Sequence, residues 1–232
     1  MGDFANRHVV VTGGAGALGG AVVRALVERG AICHVPVHEP KELDRFPFRD
    51  HPRVTVRAGL DLTVESTVQR YYTELPDLWA SVHLAGGFAM KPIAETTLED
   101  FLRLMNTNAV TCFLACREAA RKLREGGRGG RIVNVAAKPA LSPTGGMAAY
   151  AASKAVVVSL TQSLAEELAP EGIYVNAVAP SIMDTPRNRA DMPRADHSRW
   201  PKVEEVAAAV LFLASPESTV ARGAIVPVYG RS

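Results

Sequence analysis

The chain is short of cysteine, of long apolar runs and of any excess of one charge, and each shortage excludes a class of protein. Three cysteines, Cys33, Cys112 and Cys116, stand in 232 residues with no Cys-x-x-Cys spacing, so no disulfide framework is encoded and a reducing cytoplasm is the expected setting. No fully apolar run approaches the ~20 residues that cross a bilayer, and the stretch 1–8 is polar, unlike a secretory leader. Lys plus Arg total 26 against 24 Asp plus Glu, a net charge of +2, which supplies no field for nucleic acid or an anionic membrane. The six histidines, His8, His34, His38, His51, His83 and His197, show no metal-ligand spacing, so no metal is expected. There is no internal repeat and no linker between halves. A small-molecule partner is what these exclusions leave.

What the chain does have is an alternation of short apolar runs with longer helical stretches. His8-Val9-Val10-Val11 reads as a strand buried on both faces, and further runs follow at 31–37, 54–56, 80–84, 131–135, 173–178 and 224–228. Between them lie helical patterns at 18–30, 63–74, 97–124, 149–168 and 203–214. This order predicts a Rossmann-type, doubly wound parallel sheet in a three-layer α/β/α arrangement, one domain over 1–232. The Arg-rich stretch 181–201 has no clear period and is expected to be a substrate loop, either a lid or a mobile surface segment. Its Arg187, Arg189, Arg194 and Arg199 could clamp a substrate or simply pair with Asp184, Asp191 and Asp196.

Chemistry concentrates at two places. Thr12-Gly13-Gly14-Ala15-Gly16-Ala17-Leu18-Gly19 joins the first strand to the first helix, where glycines let backbone amides approach a pyrophosphate at a helix amino terminus. Gly13, Gly14, Ala15, Ala17, Leu18 and Gly19 are therefore candidate cofactor contacts. The acid that would bind the adenosine ribose at the end of the second strand is replaced by Pro36. That lessens repulsion of a 2′-phosphate, and His38 or Lys41 could attract one, so the reading is NAD(P)(H) with a lean to NADP(H); Glu39 still offers an acid slightly farther out. The second place is Tyr150-Ala151-Ala152-Ser153-Lys154, which sets Tyr150 and Lys154 on one helix face. An ammonium beside a phenol is expected to lower its pKa and make proton transfer feasible near neutral pH.

Taken in order, Thr12-Gly13 with Gly19, then Ala85-Gly86-Gly87, Asn108, Tyr150 with Lys154, and Pro180 resemble the short-chain dehydrogenase/reductase family along essentially the whole chain. The resemblance implies a nicotinamide cofactor and hydride transfer. It implies that Tyr150 donates the proton, that Lys154 holds the nicotinamide ribose and tunes Tyr150, and that Asn108 maintains a water relay. Asp61 and Leu62 would meet the adenine, Ala85, Gly86 and Gly87 would line the cofactor, and Pro180, Ile182 and Thr185 would lie along the nicotinamide side. A homodimer or homotetramer is also implied. Two departures stand out: Ala17 replaces the middle glycine, and Ala137 replaces the serine thirteen residues before the tyrosine that polarises a carbonyl. Ala85-Gly86-Gly87-Phe88, Ala137-Lys138-Pro139 and Asp184-Thr185-Pro186-Arg187-Asn188-Arg189 are similar to the dihydropteridine reductase subgroup, whose quinonoid substrate does not need that serine. Beside that reading stand a general ketone or alcohol dehydrogenase and a catalytically weak nicotinamide-binding sensor or scaffold.

Overall fold

The computed structural model describes residues 3–232; Met1 and Gly2, part of the polar stretch read above, lie outside it. Seven strands form one parallel sheet: β1 (His8–Thr12), β2 (Ile32–Pro36), β3 (Val54–Arg57), β4 (Ala80–His83), β5 (Gly130–Val135), β6 (Ile173–Pro180) and β7 (Ile225–Val228), in the spatial order β3-β2-β1-β4-β5-β6-β7. Register is continuous, with Val9 opposite Cys33 on one side and Ala80 on the other. The connections are α1 (Ala17–Glu28), α2 (Glu65–Thr73), α3 (Leu98–Leu104), α4 (Thr111–Gly126), α5 (Lys138–Leu141), α6 (Ala148–Leu168), α7 (Pro186–Asp191) and α8 (Val203–Ala214).

Burial explains the layering. Val9, Val10 and Val11 are fully buried because helices cover both faces of the sheet. On one face Val22, Val23 and Leu26 of α1 pack with Val206, Val210 and Leu211 of α8. On the other, Val68 and Tyr72 of α2, Ala115 and Ala119 of α4, and Val157 of α6 make a second core. The strand order reverses between β1 and β4, so the crevice at the carboxyl ends of those two strands is where this architecture takes a ligand.

Two stretches differ from their sequence pattern. The helix expected over 97–124 opens with a capping box, in which Thr97 Oγ1 accepts from Asp100 N at 3.1 Å, and then widens into a π-helical turn over Met105–Val110 before continuing as α4. The Thr107 and Thr111 hydroxyls, donating to the carbonyls of Arg103 and Thr107 at 2.8 and 2.7 Å, loosen the backbone there. The 181–201 stretch, read as aperiodic, is ordered by local contacts. Thr185 Oγ1 accepts from Asn188 N to start α7, Arg189 grips Asp184 through both guanidinium arms at 2.5 and 2.8 Å, and Trp200 is buried against His197. Among residues 3–232 no helix is long and apolar enough to cross a membrane.

Candidate active site

The glycine-rich turn sits at the sheet's switch point, and two of its glycines are required by contact. Gly13 has φ +66°, and a Cβ there would lie 2.7 Å from Ala85 N. A Cβ on Gly19 would strike the Gly13 carbonyl oxygen and approach Gly14 Cα to 2.5 Å. α1 can therefore start hard against the turn, with the first-turn amides free to face a ligand. Ala17 is exposed, so its methyl, at the position of the family's middle glycine, meets no crowding. Thr12 Oγ1 accepts from Ala85 N at 3.3 Å, which ties the ends of β1 and β4 together.

Asn108 organises the facing side. Its Oδ1 accepts from Gly87 N at 2.8 Å, and its Nδ2 donates to Gly87 O at 3.0 Å and to Ser153 Oγ at 2.9 Å. Ser153 in turn donates to Tyr150 O at 2.8 Å. The π-helical turn aims Asn108 at Gly87; the resulting chain runs Gly87–Asn108–Ser153–Tyr150 and joins the β4 loop to α6. Lys154 is buried, with Nζ donating to Val135 O at 2.8 Å, and a Cβ on Gly86 would lie 2.6 Å from Asn108 Oδ1 and 3.3 Å from Lys154 Nζ. Tyr150, Lys154, Asn108, Gly86 and Gly87 thus meet in one place.

The expected tuning of Tyr150 is not what this geometry gives. Burial pushes its phenol up to about 12, and no cation offsets that, because Lys154 is turned to the Val135 carbonyl. Burial instead acts on the lysine, bringing it down to about 8, with Cys112 pulling slightly the other way. Phe88, 59 % exposed, packs edge-on against Tyr150 with ring centroids 5.0 Å apart, so one edge of the cleft is aromatic.

The remaining sequence candidates differ in burial and in local partners. Ala85 is half-buried, Pro180 and Thr185 are buried at the end of β6 and the start of α7, and Ile182 is 41 % exposed. Asp61 and Leu62 are half-buried beyond β3, and Asp61 is held below the usual carboxylate range by the Thr63 hydroxyl and amide. His38 is exposed after β2, and Lys41 is ion-paired with Glu39. Ala137 is buried just before α5 and offers no hydroxyl. Three of the four loop arginines have local partners: Arg187 pairs with Asp191, Arg189 pairs with Asp184, and Arg199 donates to Arg231 O at 2.9 and 3.1 Å. Trp200 is a buried anchor rather than a ring over the cleft. The sequence reading gave no role to Ser153 or the Val135 carbonyl; a hydroxyl one residue before Lys154 was the available signal for the former.

Comparison with known proteins agrees with this arrangement. The family profile described as short chain dehydrogenase matches residues 7–195. The chain is 38 % identical over 243 residues to a galactitol 2-dehydrogenase of Rhizobium johnstonii, covering 96 % of this chain and 93 % of that one. It is 32 % identical over 214 residues to a sorbitol dehydrogenase of Cereibacter sphaeroides, covering 89 % and 83 %. A short-chain type dehydrogenase/reductase structure from Mycobacterium ulcerans superposes with a TM-score of 0.90 at 26 % identity, over 98 % of this chain and 90 % of that one.

Proposed function

Because the chain belongs to the short-chain dehydrogenase family, we propose that it is an NAD(P)(H)-dependent oxidoreductase moving hydride to or from a small carbonyl or a quinonoid, imine-like substrate. The observation that carries this reading is the convergence of Tyr150, Lys154 and Asn108 on the loop that closes the glycine-rich turn. The residues present fit a dinucleotide, since the cradle at Gly13, Gly14 and Gly19 exists only without side chains and a buried cation waits beside it. When bound, the nicotinamide supplies or accepts the hydride.

The chain's own residues do the rest. Amides of Gly14 and Ala15 in the turn and of Ala17 and Leu18 at the start of α1 would take the pyrophosphate. Asp61 and Leu62 would take the adenine, Ala85, Gly86 and Gly87 would line the ribose side, and Pro180, Ile182 and Thr185 would flank the carboxamide. Lys154, held on Val135 O in this structure, would bind the ribose hydroxyls, and its ammonium would favour the Tyr150 phenolate if brought beside it. Tyr150 passes a proton to the substrate atom left anionic by hydride arrival, and Asn108 with Ser153 fixes the α6 turn that carries it. With Glu39 neutralised by Lys41 and no acid at Pro36, His38 is free to face a 2′-phosphate, which supports NADP(H).

Ala137 decides between substrates. Without the hydroxyl that polarises a plain ketone, the site suits an already electron-poor quinonoid ring, with Phe88 as a flat wall beside Tyr150. The names of the galactitol and sorbitol relatives favour a second reading, a polyol or ketone dehydrogenase. The loop 181–201 would cover either substrate. A homodimer or homotetramer in the cytoplasm belongs to the same proposal, supported by Phe113, 45 % exposed on α4. The test is a panel of quinonoid pterins, quinones, ketones and polyols assayed with both cofactors. Quinonoid turnover alone supports the first reading, ketone or polyol turnover the second, and tight dinucleotide binding with no turnover on any substrate contradicts both.

A further inference from the structure

Behind the site lies a buried polar cluster that the hydride chemistry does not use. His83 at the end of β4 and Cys112 and Cys116 on α4 are 4 %, 6 % and 1 % exposed, and their ligand atoms all lie within 4.8 Å of one another. Cys112 Sγ is 3.9 Å from Cys116 Sγ, and Cys116 Sγ is 3.4 Å from His83 Nδ1. A tetrahedral zinc ion with Zn–S near 2.3 Å and Zn–N near 2.0–2.1 Å spaces its ligands by about 3.8 Å (S···S) and about 3.5 Å (S···N). The two observed separations lie within about 0.1 Å of two edges of a zinc coordination tetrahedron.

We propose that His83, Cys112 and Cys116 form a structural zinc site, with the Asn134 amide oxygen closing the fourth position. Asn134 is oriented for this. Its Nδ2 donates to Thr161 Oγ1 at 2.9 Å, and the Thr161 hydroxyl is already committed to Val157 O, so Oδ1 faces the cluster, 3.4 Å from Cys116 Sγ. Its 2.8 Å contact with His83 Nδ1 is the hydrogen bond of the metal-free ring, and Oδ1 would draw back to about 3.3 Å, the N···O edge of a zinc tetrahedron, when the ion binds. The far side of the imidazole is also prepared: Nε2 is 2.8 Å from Ser81 Oγ, which lies 2.8 Å from Tyr72 OH. A zinc-bound histidine needs such a partner on its other nitrogen to fix its tautomer.

The chemistry balances. Both thiols lose a proton on binding, so two protons are released per ion; the histidine proton moves from Nδ1 to Nε2 without net change. Zn²⁺ with two thiolates and neutral imidazole carries no net charge, the condition a fully enclosed site demands. The ion would staple β4 to α4, two residues before Ala85 and four after Asn108, holding from behind the same pair of segments that Asn108 and Gly87 join in front. Spacing concealed the site because His83 lies 29 residues from Cys112, on a strand instead of the helix.

The inference does not depend on the hydride-transfer reading, and its test needs no activity. The full chain is produced in medium supplemented with Zn²⁺ or Co²⁺, so that metal meets the ligands during folding, then freed of loose metal by gel filtration. One equivalent of zinc per chain is expected, with thiolate-to-cobalt charge transfer in the near ultraviolet and tetrahedral d–d bands in the cobalt form. Cys112→Ser and Cys116→Ser should each remove the charge-transfer intensity, and Cys33→Ser should leave it. If those variants fail to fold, His83→Gln, which keeps hydrogen-bonding groups toward Ser81 and Asn134, should lower metal retention at least about tenfold while keeping the native circular dichroism. Substoichiometric metal in the wild-type chain, or cobalt bands that survive all three ligand substitutions, would overturn the site.

Discussion

Asn108 and Gly87 clasp each other through two opposed hydrogen bonds, the side-chain amide meeting both backbone groups of the glycine at 2.8 and 3.0 Å. The pair locks the loop after β4 to the π-helical turn. Asn108→Ala would leave both Gly87 groups and the Ser153 hydroxyl short of a partner. Removing one side of a buried hydrogen bond costs about 1–3 kcal/mol, so urea unfolding should show a loss in that range. Dinucleotide affinity should fall as well, read by titration of cofactor fluorescence. An unchanged unfolding midpoint would mean that water replaces the amide.

Lys154 predicts a pH limit on cofactor capture. Its proton is held with a value near 8 in the folded chain, against 10.5 when unperturbed, so its charge is lost as pH rises through 8. Dinucleotide affinity should therefore weaken above pH 8, by up to about tenfold per unit while a single proton governs binding. Fold stability should move oppositely over the same window: between 8 and 10.5 the unfolded chain binds the extra proton, so stability rises with pH there. Calorimetric titrations from pH 6.5 to 9.5 measure the first effect, and a flat profile would remove Lys154 from cofactor binding.

His34 predicts an acid limb of a different kind. Burial, with His8 stacked beside it, brings its value down to about 4 from 6.5, and the two rings share a 2.9 Å hydrogen bond between β1 and β2. As pH falls from 6.5 toward 4 the unfolded chain takes up a proton that the folded chain refuses, so stability declines across that window, by on the order of 2 kcal/mol. His34→Gln should flatten that part of the curve of melting temperature against pH. A slope that persists in the variant would assign it to other groups.

Ala137→Ser restores a hydroxyl at the buried position before α5. Removal of one such donor costs about 10²–10³ in comparable oxyanion chemistry, so the added serine should raise kcat/KM for a plain ketone by roughly ten- to a hundredfold and change quinonoid turnover little. No gain on ketones would mean that Ala137 does not face the substrate.

The layering was legible because buried parallel strands write themselves as unbroken Val-rich runs, and Leu18, Val22 and Leu26 mark their helix by spacing alone. The positions of Tyr150, Lys154 and the glycine turn followed from local sequence for the same reason. What spacing could not show was contact between distant segments. The π-helical turn at Met105–Val110 depends on threonine hydroxyls competing for backbone carbonyls, and it decides where Asn108 points. The phenol of Tyr150 was expected to be lowered by Lys154, yet burial raises it, because the ammonium finds the Val135 carbonyl, an acceptor at the end of β5. The ordered 181–201 stretch depends on Arg189 with Asp184 and on Arg199 with Arg231, pairings that mixed charge alone does not specify.

The most direct test of the account is Tyr150→Phe, which removes one oxygen and leaves the ring packed against Phe88. Stopped-flow measurement of NADPH oxidation with the best substrate from the panel, beside cofactor affinity by fluorescence, separates chemistry from binding. The account predicts affinity within about threefold of the wild type and a rate lowered by at least ~10²-fold. A variant that oxidises the cofactor at the wild-type rate would contradict proton transfer by this tyrosine.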